Sequence, residues 1–274
     1  MKKIQNVLIT GCSTGIGRAL ALELARRGCR VYATARRPEV LEDIASANLI
    51  PLRLDVLDRR SVEDALSSVV SEAGSIDMLI NNAGISSTAP AVEADFEQLK
   101  GLVDTNLTAC IGITQAVFPH MASQGHGRIV NVGSVVGELP APFTATYCAT
   151  KAAIHMFSDV LRMELLPFNI EVTTVQPAAV STEIETRSAT GVEMFGSADS
   201  RYQKFYAGIR KRFEGGEKVA MSAEDFAVQI APKLLLSRAP RIVSGGGNNR
   251  LLRTLAKLPV SLRDWLLRKE YQLS

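Results

Sequence analysis

Seven short runs of apolar and β-branched residues punctuate the chain: "NVLIT" (6–10), "RVYAT" (30–34), "LIPLRLDV" (49–56), "MLINNA" (78–83), "RIVNVGS" (128–134), "EVTTVQP" (171–177) and "RIVSG" (241–245). They are largely apolar along their length, which predicts strands covered on both faces, as in a parallel sheet. Longer segments with helical spacing lie between them, near 16–27, 61–73, 95–122, 147–166 and 223–237. Strand–helix alternation of this kind predicts a doubly wound α/β sheet. No repeat, low-complexity linker or sharp boundary interrupts the pattern, so residues 1–249 are expected to form one domain. Beyond it, "RLLRTLAKL" (250–258) sets Arg250, Arg253 and Lys257 on one helical face and Leu251, Leu252, Leu255 and Leu258 on the other. A basic, amphipathic helical extension is therefore expected over 250–274.

Composition changes this picture little. At 274 residues, with 46% apolar and 22% charged side chains, the chain can bury a core without metal or disulfide staples. Its four cysteines, Cys12, Cys29, Cys110 and Cys148, lack close pairing and metal-ligand spacing, and read as free thiols of a reducing compartment. His120, His126 and His155 likewise have no ligand partners at workable spacing. The apolar run before Gly11 is too short for a signal-peptide core, and no run approaches a membrane-spanning length. A cytoplasmic protein, at most peripheral to a membrane, is expected. Charge is more informative. Residues 1–200 hold 16 Lys/Arg and 22 Asp/Glu, and residues 201–274 hold 15 and 6, so a net of +3 conceals −6 followed by +9.

The first strand runs into "TGCSTGIG" (10–17), with Gly11, Gly15 and Gly17 before the first helix. Glycines there let backbone approach a pyrophosphate closely, and the helix N-terminus offers it free N–H groups. A tight turn without a ligand would also need glycine; the position between first strand and first helix favours a dinucleotide and a Rossmann-type sheet. The second strand ends "YATARRPE", where a carboxylate would select NAD. Ala35, Arg36 and Arg37 stand there instead. A guanidinium matches a 2′-phosphate in shape and charge, which points to NADP.

"NNAG" (81–84), "GS" (133–134) and Tyr147-x-x-x-Lys151 follow in order. With the glycine turn, they make the chain resemble the short-chain dehydrogenase/reductase family from about residue 5 to residue 182. Four residues apart on a helix, Tyr147 and Lys151 share a face. A free phenol ionises near pH 10, and lowering that to neutrality needs roughly 4 kcal/mol of phenolate stabilisation, to which a neighbouring ammonium contributes. The resemblance implies Tyr147 as acid/base, Lys151 as its tuning cation and ribose ligand, and Ser134 as the hydrogen-bond partner of the substrate oxygen. It also implies Asn106 as anchor of a water relay. By the same resemblance the cofactor is held by Gly11, Ser13, Thr14, Gly15, Ile16 and Gly17, by Arg36 and Arg37, and by Asp55 and Val56 at the adenine. Asn82, Tyr147, Lys151, Pro177, Val180 and Thr182 complete that set. Ala178 replaces the glycine usual after Pro177.

A nucleophilic serine elbow is excluded, because Val132 and Val136 flank Ser134 where glycines are required. The pocket is expected from 135–145 and a lid over 183–221. These carry Val135, Val136, Leu139 and Phe143, and Met194, Phe195, Tyr202, Phe205 and Tyr206, with no charge cluster for a carboxylate or phosphate. The tail resembles the retinol and hydroxysteroid branch of the family. NADP-dependent hydride transfer to a lipophilic carbonyl or alcohol is thus the leading expectation. A non-catalytic NADP-binding regulator or membrane adaptor, and an isomerase or epimerase using the same Tyr/Lys pair, are the alternatives. Nucleic acid is not an expected partner. Docking of the tail leucines on the domain is preferred to lipid contact, and a homo-oligomer is left open.

Overall fold

The computed structural model describes residues 4–181, 192–214 and 220–273. All seven expected strands form: β1 Asn6–Ile9, β2 Arg30–Ala35, β3 Leu49–Arg53, β4 Met78–Asn81, β5 Gly127–Val132, β6 Ile170–Pro177 and β7 Ile242–Gly245. They pair in parallel in the order β3-β2-β1-β4-β5-β6-β7. Strand order reverses between β1 and β4, and such a switch opens a crevice at the carboxyl ends of the strands. The described helices are α1 Gly15–Arg26, α2 Arg59–Ala73, α3 Phe96–Val103, α4 Ala109–Gln124, α5 Ala145–Glu164, α6 Tyr206–Glu214, α7 Ala223–Leu234, α8 Asn249–Ala256 and α9 Val260–Glu270.

The unbroken apolar runs have a direct cause. Successive strand side chains point to opposite faces, and both faces are covered. Val7, Ile9, Val31, Met78, Ile80 and Val130 turn towards α1 and α7, where they join Leu20, Leu24, Phe226 and Ile230. Leu8, Tyr32, Leu79, Ile129 and Val172 turn the other way, onto Val62, Leu66 and Val69 of α2, Ile113, Val117 and Met121 of α4, and Leu161 of α5. α2 begins at Asp58, whose carboxylate accepts from the Arg60 N–H, and ends at Gly74 with φ 73°.

Three expectations shift. β3 stops at Arg53, because the Asp55 carboxylate accepts from Leu57 N–H at 3.1 Å and turns the chain. β4 stops at Asn81, because the N–H groups of Asn82 and Ala83 both donate to Thr10 Oγ1 at 3.0 Å. The single helix expected over 95–122 is α3 and α4 joined by a π turn, Asp104–Thr108. The aromatics expected to wall a pocket also find another place. Phe143, Phe195, Tyr202, Phe205 and Tyr206 form a small separate core with Val192, Ile209 and Tyr271, Phe143 meeting Tyr202 edge-on at 6.3 Å. Met194 is exposed.

One buried charge ties the sheet to its helical cover. Arg128, 1% exposed, donates from Nε to Glu171 on the neighbouring strand at 2.9 Å and from Nη1 to the Leu234 carbonyl at the end of α7. Glu171→Ala leaves this guanidinium without its counter-charge. It should lower the unfolding free energy by about 3 kcal/mol, the low end for a broken buried pair because Glu171 itself is partly exposed. A fall in urea midpoint at unchanged slope would show it.

Candidate active site

The crevice at the strand ends is a cleft of about 930 Å³. Its floor is the turn between β1 and α1. Gly11 has φ +71°, and a Cβ there would lie 2.7 Å from the Ala83 Cα. At Gly17 a Cβ would come within 2.3 Å of both Asn82 Nδ2 and the Gly11 carbonyl. Both positions therefore exclude side chains by contact, and Gly11 by conformation as well. Asn82 holds the turn, donating from Nδ2 to the carbonyls of Thr10 and Gly11 at 2.9 Å each. Ser13, Thr14, Gly15 and Ile16 line the cleft. Thr14 makes no side-chain cap to α1, and no acid occupies the first turn. The leading N–H groups of α1 are thus available to an anion.

At one end of the cleft stand Ala35, the last residue of β2, and Arg36, with Leu54, Asp55, Val56 and Leu57 after the neighbouring β3. The two arginines of the sequence separate here. Arg36 lines the cleft, whereas Arg37 lies outside its lining, at the start of a 3₁₀ segment, Pro38–Ile44.

In the middle, α5 presents Tyr147 and Lys151 one turn apart. The Lys151 ammonium lies 5.6 Å from the centre of the Tyr147 ring and donates to the Val132 carbonyl at 2.9 Å. Lys151 is 5% exposed, and burial pushes its pKa down to about 8. It therefore carries its charge at neutral pH and gives it up a little above. Ser134 borders the same space from the end of β5. Its hydroxyl donates to the Pro177 carbonyl at 3.5 Å and accepts from Val136 N–H at 3.3 Å, both long contacts that a better partner can displace. Asn106 sits in the π turn, 3% exposed and outside the cleft lining. Its amide accepts from Ile85 N–H and donates to Ile85 O, each at 2.8 Å, and reaches Thr150 Oγ1 at 3.3 Å. Pro177 and Val180 line the cleft, and Thr182 lies outside the described residues.

Several participants were not legible. His155, one turn beyond Lys151, is packed as expected, yet its ring also serves the site. Nε2 accepts from the Ser134 N–H at 3.4 Å, and a Cβ on Gly133 or Gly137 would collide with the imidazole. Burial holds its pKa below the ordinary histidine value, favouring the neutral ring this contact needs. Behind it, Gln176 donates to Glu138 at 2.9 Å and accepts from Arg253 of α8. The spacing from Lys151 was the only available signal for His155. Nothing in the sequence joins Arg253 to Gln176.

The other end of the cleft is walled by Leu139 and Pro140, and by Phe213 of α6, Leu251, Leu252 and Leu255 of α8, and Leu266 and Leu267 of α9. Leu252, Leu255, Leu266 and Leu267 are half-buried along the cleft, whereas Leu251 borders it with 64% of its surface exposed. Among the described residues, no helix is long and apolar enough to cross a membrane.

Comparison with known proteins gives the same fold. The family model described as short chain dehydrogenase matches residues 5–192. The chain is 38% identical over 232 residues to the NADPH-dependent 1-acyldihydroxyacetone phosphate reductase of Schizosaccharomyces pombe, covering 84% of this chain and 78% of that one. It is 35% identical to an NADP-dependent 3-hydroxy acid dehydrogenase of Escherichia coli, covering 73% and 82%. Among solved structures, a short-chain dehydrogenase from Streptomyces avermitilis superposes with a TM-score of 0.78 at 27% identity, over 97% of both chains. Serine dehydrogenase in complex with NADP+ gives 0.75 at 30% identity, over 88% of this chain and 94% of that one. With a crevice of this form, and a family match over well more than half its length, the chain belongs to the short-chain dehydrogenase/reductase family.

Proposed function

We propose that this protein is an NADP(H)-dependent oxidoreductase that transfers a hydride between nicotinamide and a lipophilic carbonyl compound or the corresponding alcohol. One observation carries it: Tyr147 and a buried, charged Lys151 share one helix face and open into the same cleft as the glycine turn. The cleft fits a phosphorylated dinucleotide. The Gly11–Ile16 turn with the uncapped start of α1 would hold the pyrophosphate, and the Arg36 side chain the 2′-phosphate. When bound, the nicotinamide supplies or accepts the hydride.

The residues do the rest. In reduction the Tyr147 phenol donates its proton to the oxygen of the reacting carbonyl. Ser134 donates a hydrogen bond to that oxygen, exchanging its long contact with Pro177 for a shorter one. Lys151 favours the phenolate left behind, and its low exposure keeps that interaction unscreened. Asn106 acts as a brace, since both ends of its amide are taken by Ile85.

The lipophilic substrate class is supported by the leucines of α8 and α9 along one wall. It is supported also by the name of the fission-yeast relative, a 1-acyldihydroxyacetone phosphate reductase, whose named substrate joins an acyl group to a phosphate. The outer surface of α9, where Val260, Leu262 and Trp265 are exposed, suits a peripheral lipid contact. Pocket function and lipid contact would then reside on opposite sides of one short segment.

Tyr147→Phe should reduce turnover by about 10²–10⁴-fold, the usual contribution of a positioned general acid. NADPH affinity, read by fluorescence titration, should stay within a factor of about three. Turnover near the wild-type rate would remove Tyr147 from the chemistry. Arg36→Ala should raise the Kd for NADPH about 10–100-fold, as expected for a charge-assisted contact, and leave that for NADH unchanged. An equal change for both cofactors would mean that Arg36 does not read the 2′-phosphate.

A further inference from the structure

The cleft contains a charge that hydride transfer does not use. Arg212, in the last turn of α6, lines it beside Phe213. Its Nε is buried without a hydrogen-bond partner. Neighbouring cations on the same helix are committed: Arg210 pairs with Glu214, and Lys211 with Glu270 at 2.8 Å. Among the described residues lining the cleft, the only carboxylates are Asp55 and Glu270. Asp55 faces the Arg36 end, and Glu270 is held by Lys211. Among the described residues Arg212 therefore has no ion-pair partner at the end formed by α6, α8 and α9, where the wall beside it is mostly Phe213 and leucines, with Glu270 and Tyr271 also in the lining.

A half-buried guanidinium in such a wall has lost part of its hydration, and one N–H has gained nothing in exchange. Its planar fork fits a phosphate or carboxylate, which can accept two parallel N–H bonds. An uncharged lipid would leave it unsatisfied. We propose that Arg212 recognises an anionic oxygen group on the substrate, so that the substrate is an acidic amphiphile with its apolar part against Leu251, Leu252 and Leu255. This deepens the hydride-transfer reading of the same cleft, on which it rests. The sequence expectation was a pocket without a charge cluster, and Arg212, within the 183–221 segment, would give it a single cation.

The test uses full-length protein saturated with NADP+, so that the Arg36 end is filled, and reads binding rather than turnover. Calorimetric titration compares octyl phosphate, kept below its micelle concentration, with 1-octanol and with inorganic phosphate. Octyl phosphate should bind at least about 10-fold more tightly than 1-octanol, as a charge-assisted contact predicts. Arg212→Gln should erase that preference while affinity for 1-octanol and NADP+ is retained, and Arg212→Lys should restore part of it. Inorganic phosphate alone should bind weakly, because it gains nothing from the leucines. In unmodified protein, octyl phosphate should also shield Arg212 from phenylglyoxal, scored by peptide mass. Equal binding of octyl phosphate and 1-octanol, an undiminished preference in Arg212→Gln, or an unshielded Arg212 would each overturn the proposal. None of these results depends on Tyr147, so failure here leaves hydride transfer standing, and failure of Tyr147→Phe to lose turnover leaves Arg212 standing.

Discussion

An ammonium group buried in the protein interior is expensive unless something fixed receives it, and Lys151 is placed where two things do. The Val132 carbonyl, at the end of β5, accepts from it at 2.9 Å, and the Tyr147 ring lies 5.6 Å away. What remains of the desolvation cost shows in a pKa pushed down to about 8. Such a charge tolerates little displacement, so α5 must be held in register against the sheet. A polar seam beneath it does this. Asn81 donates to Asn131 at 2.9 Å and to Thr114 at 3.1 Å, and Asn131 donates to Ser158 of α5 at 2.9 Å. Ser158 in turn donates to the Ile154 carbonyl at 2.7 Å. Buried hydrogen-bonded groups of this kind specify one arrangement more sharply than apolar packing would. These bonds tie β4, β5 and α5 together at their crossing point, beside the cleft.

The two ends of the cleft are made differently. At the Arg36 end the chain uses backbone: a turn in which side chains would collide, and a helix start left uncapped. At the other end it uses side chains from distant parts of the sequence, α6, α8 and α9. Backbone sites suit a constant ligand, and side-chain walls can vary with substrate. The contact of Arg253 with Gln176 joins the second end to the layer behind Ser134.

What the sequence made legible follows from this division. Strands covered on both faces leave continuous apolar runs, so all seven could be located, with β3 and β4 ending early where Asp55 and Thr10 turn or tie the chain and β5 stopping at Val132 rather than Ser134. The glycine turn and the Tyr147–Lys151 pair are local patterns, and each is found on the cleft. Arg36 lines the cleft and Arg37 does not, a difference between adjacent residues that charge alone does not reveal. The part played by His155 beside Ser134, and the Arg253–Gln176 contact, depend on packing between elements far apart in the chain. The aromatic residues near 195–206 were indistinguishable from a pocket wall, since a small core and a binding surface have the same composition.

The ionisation of Tyr147 itself tests the central coupling most directly. Ultraviolet difference titration of NADP+-loaded protein, with Tyr147→Phe subtracted to isolate the one phenol, can be carried out with Lys151 intact and with Lys151→Met. Tyr147 is predicted to ionise at distinctly lower pH when the ammonium is present than when a methionine takes its place. The same titration curve in both proteins would mean that Lys151 does not tune the phenol, and would contradict the role given to the pair.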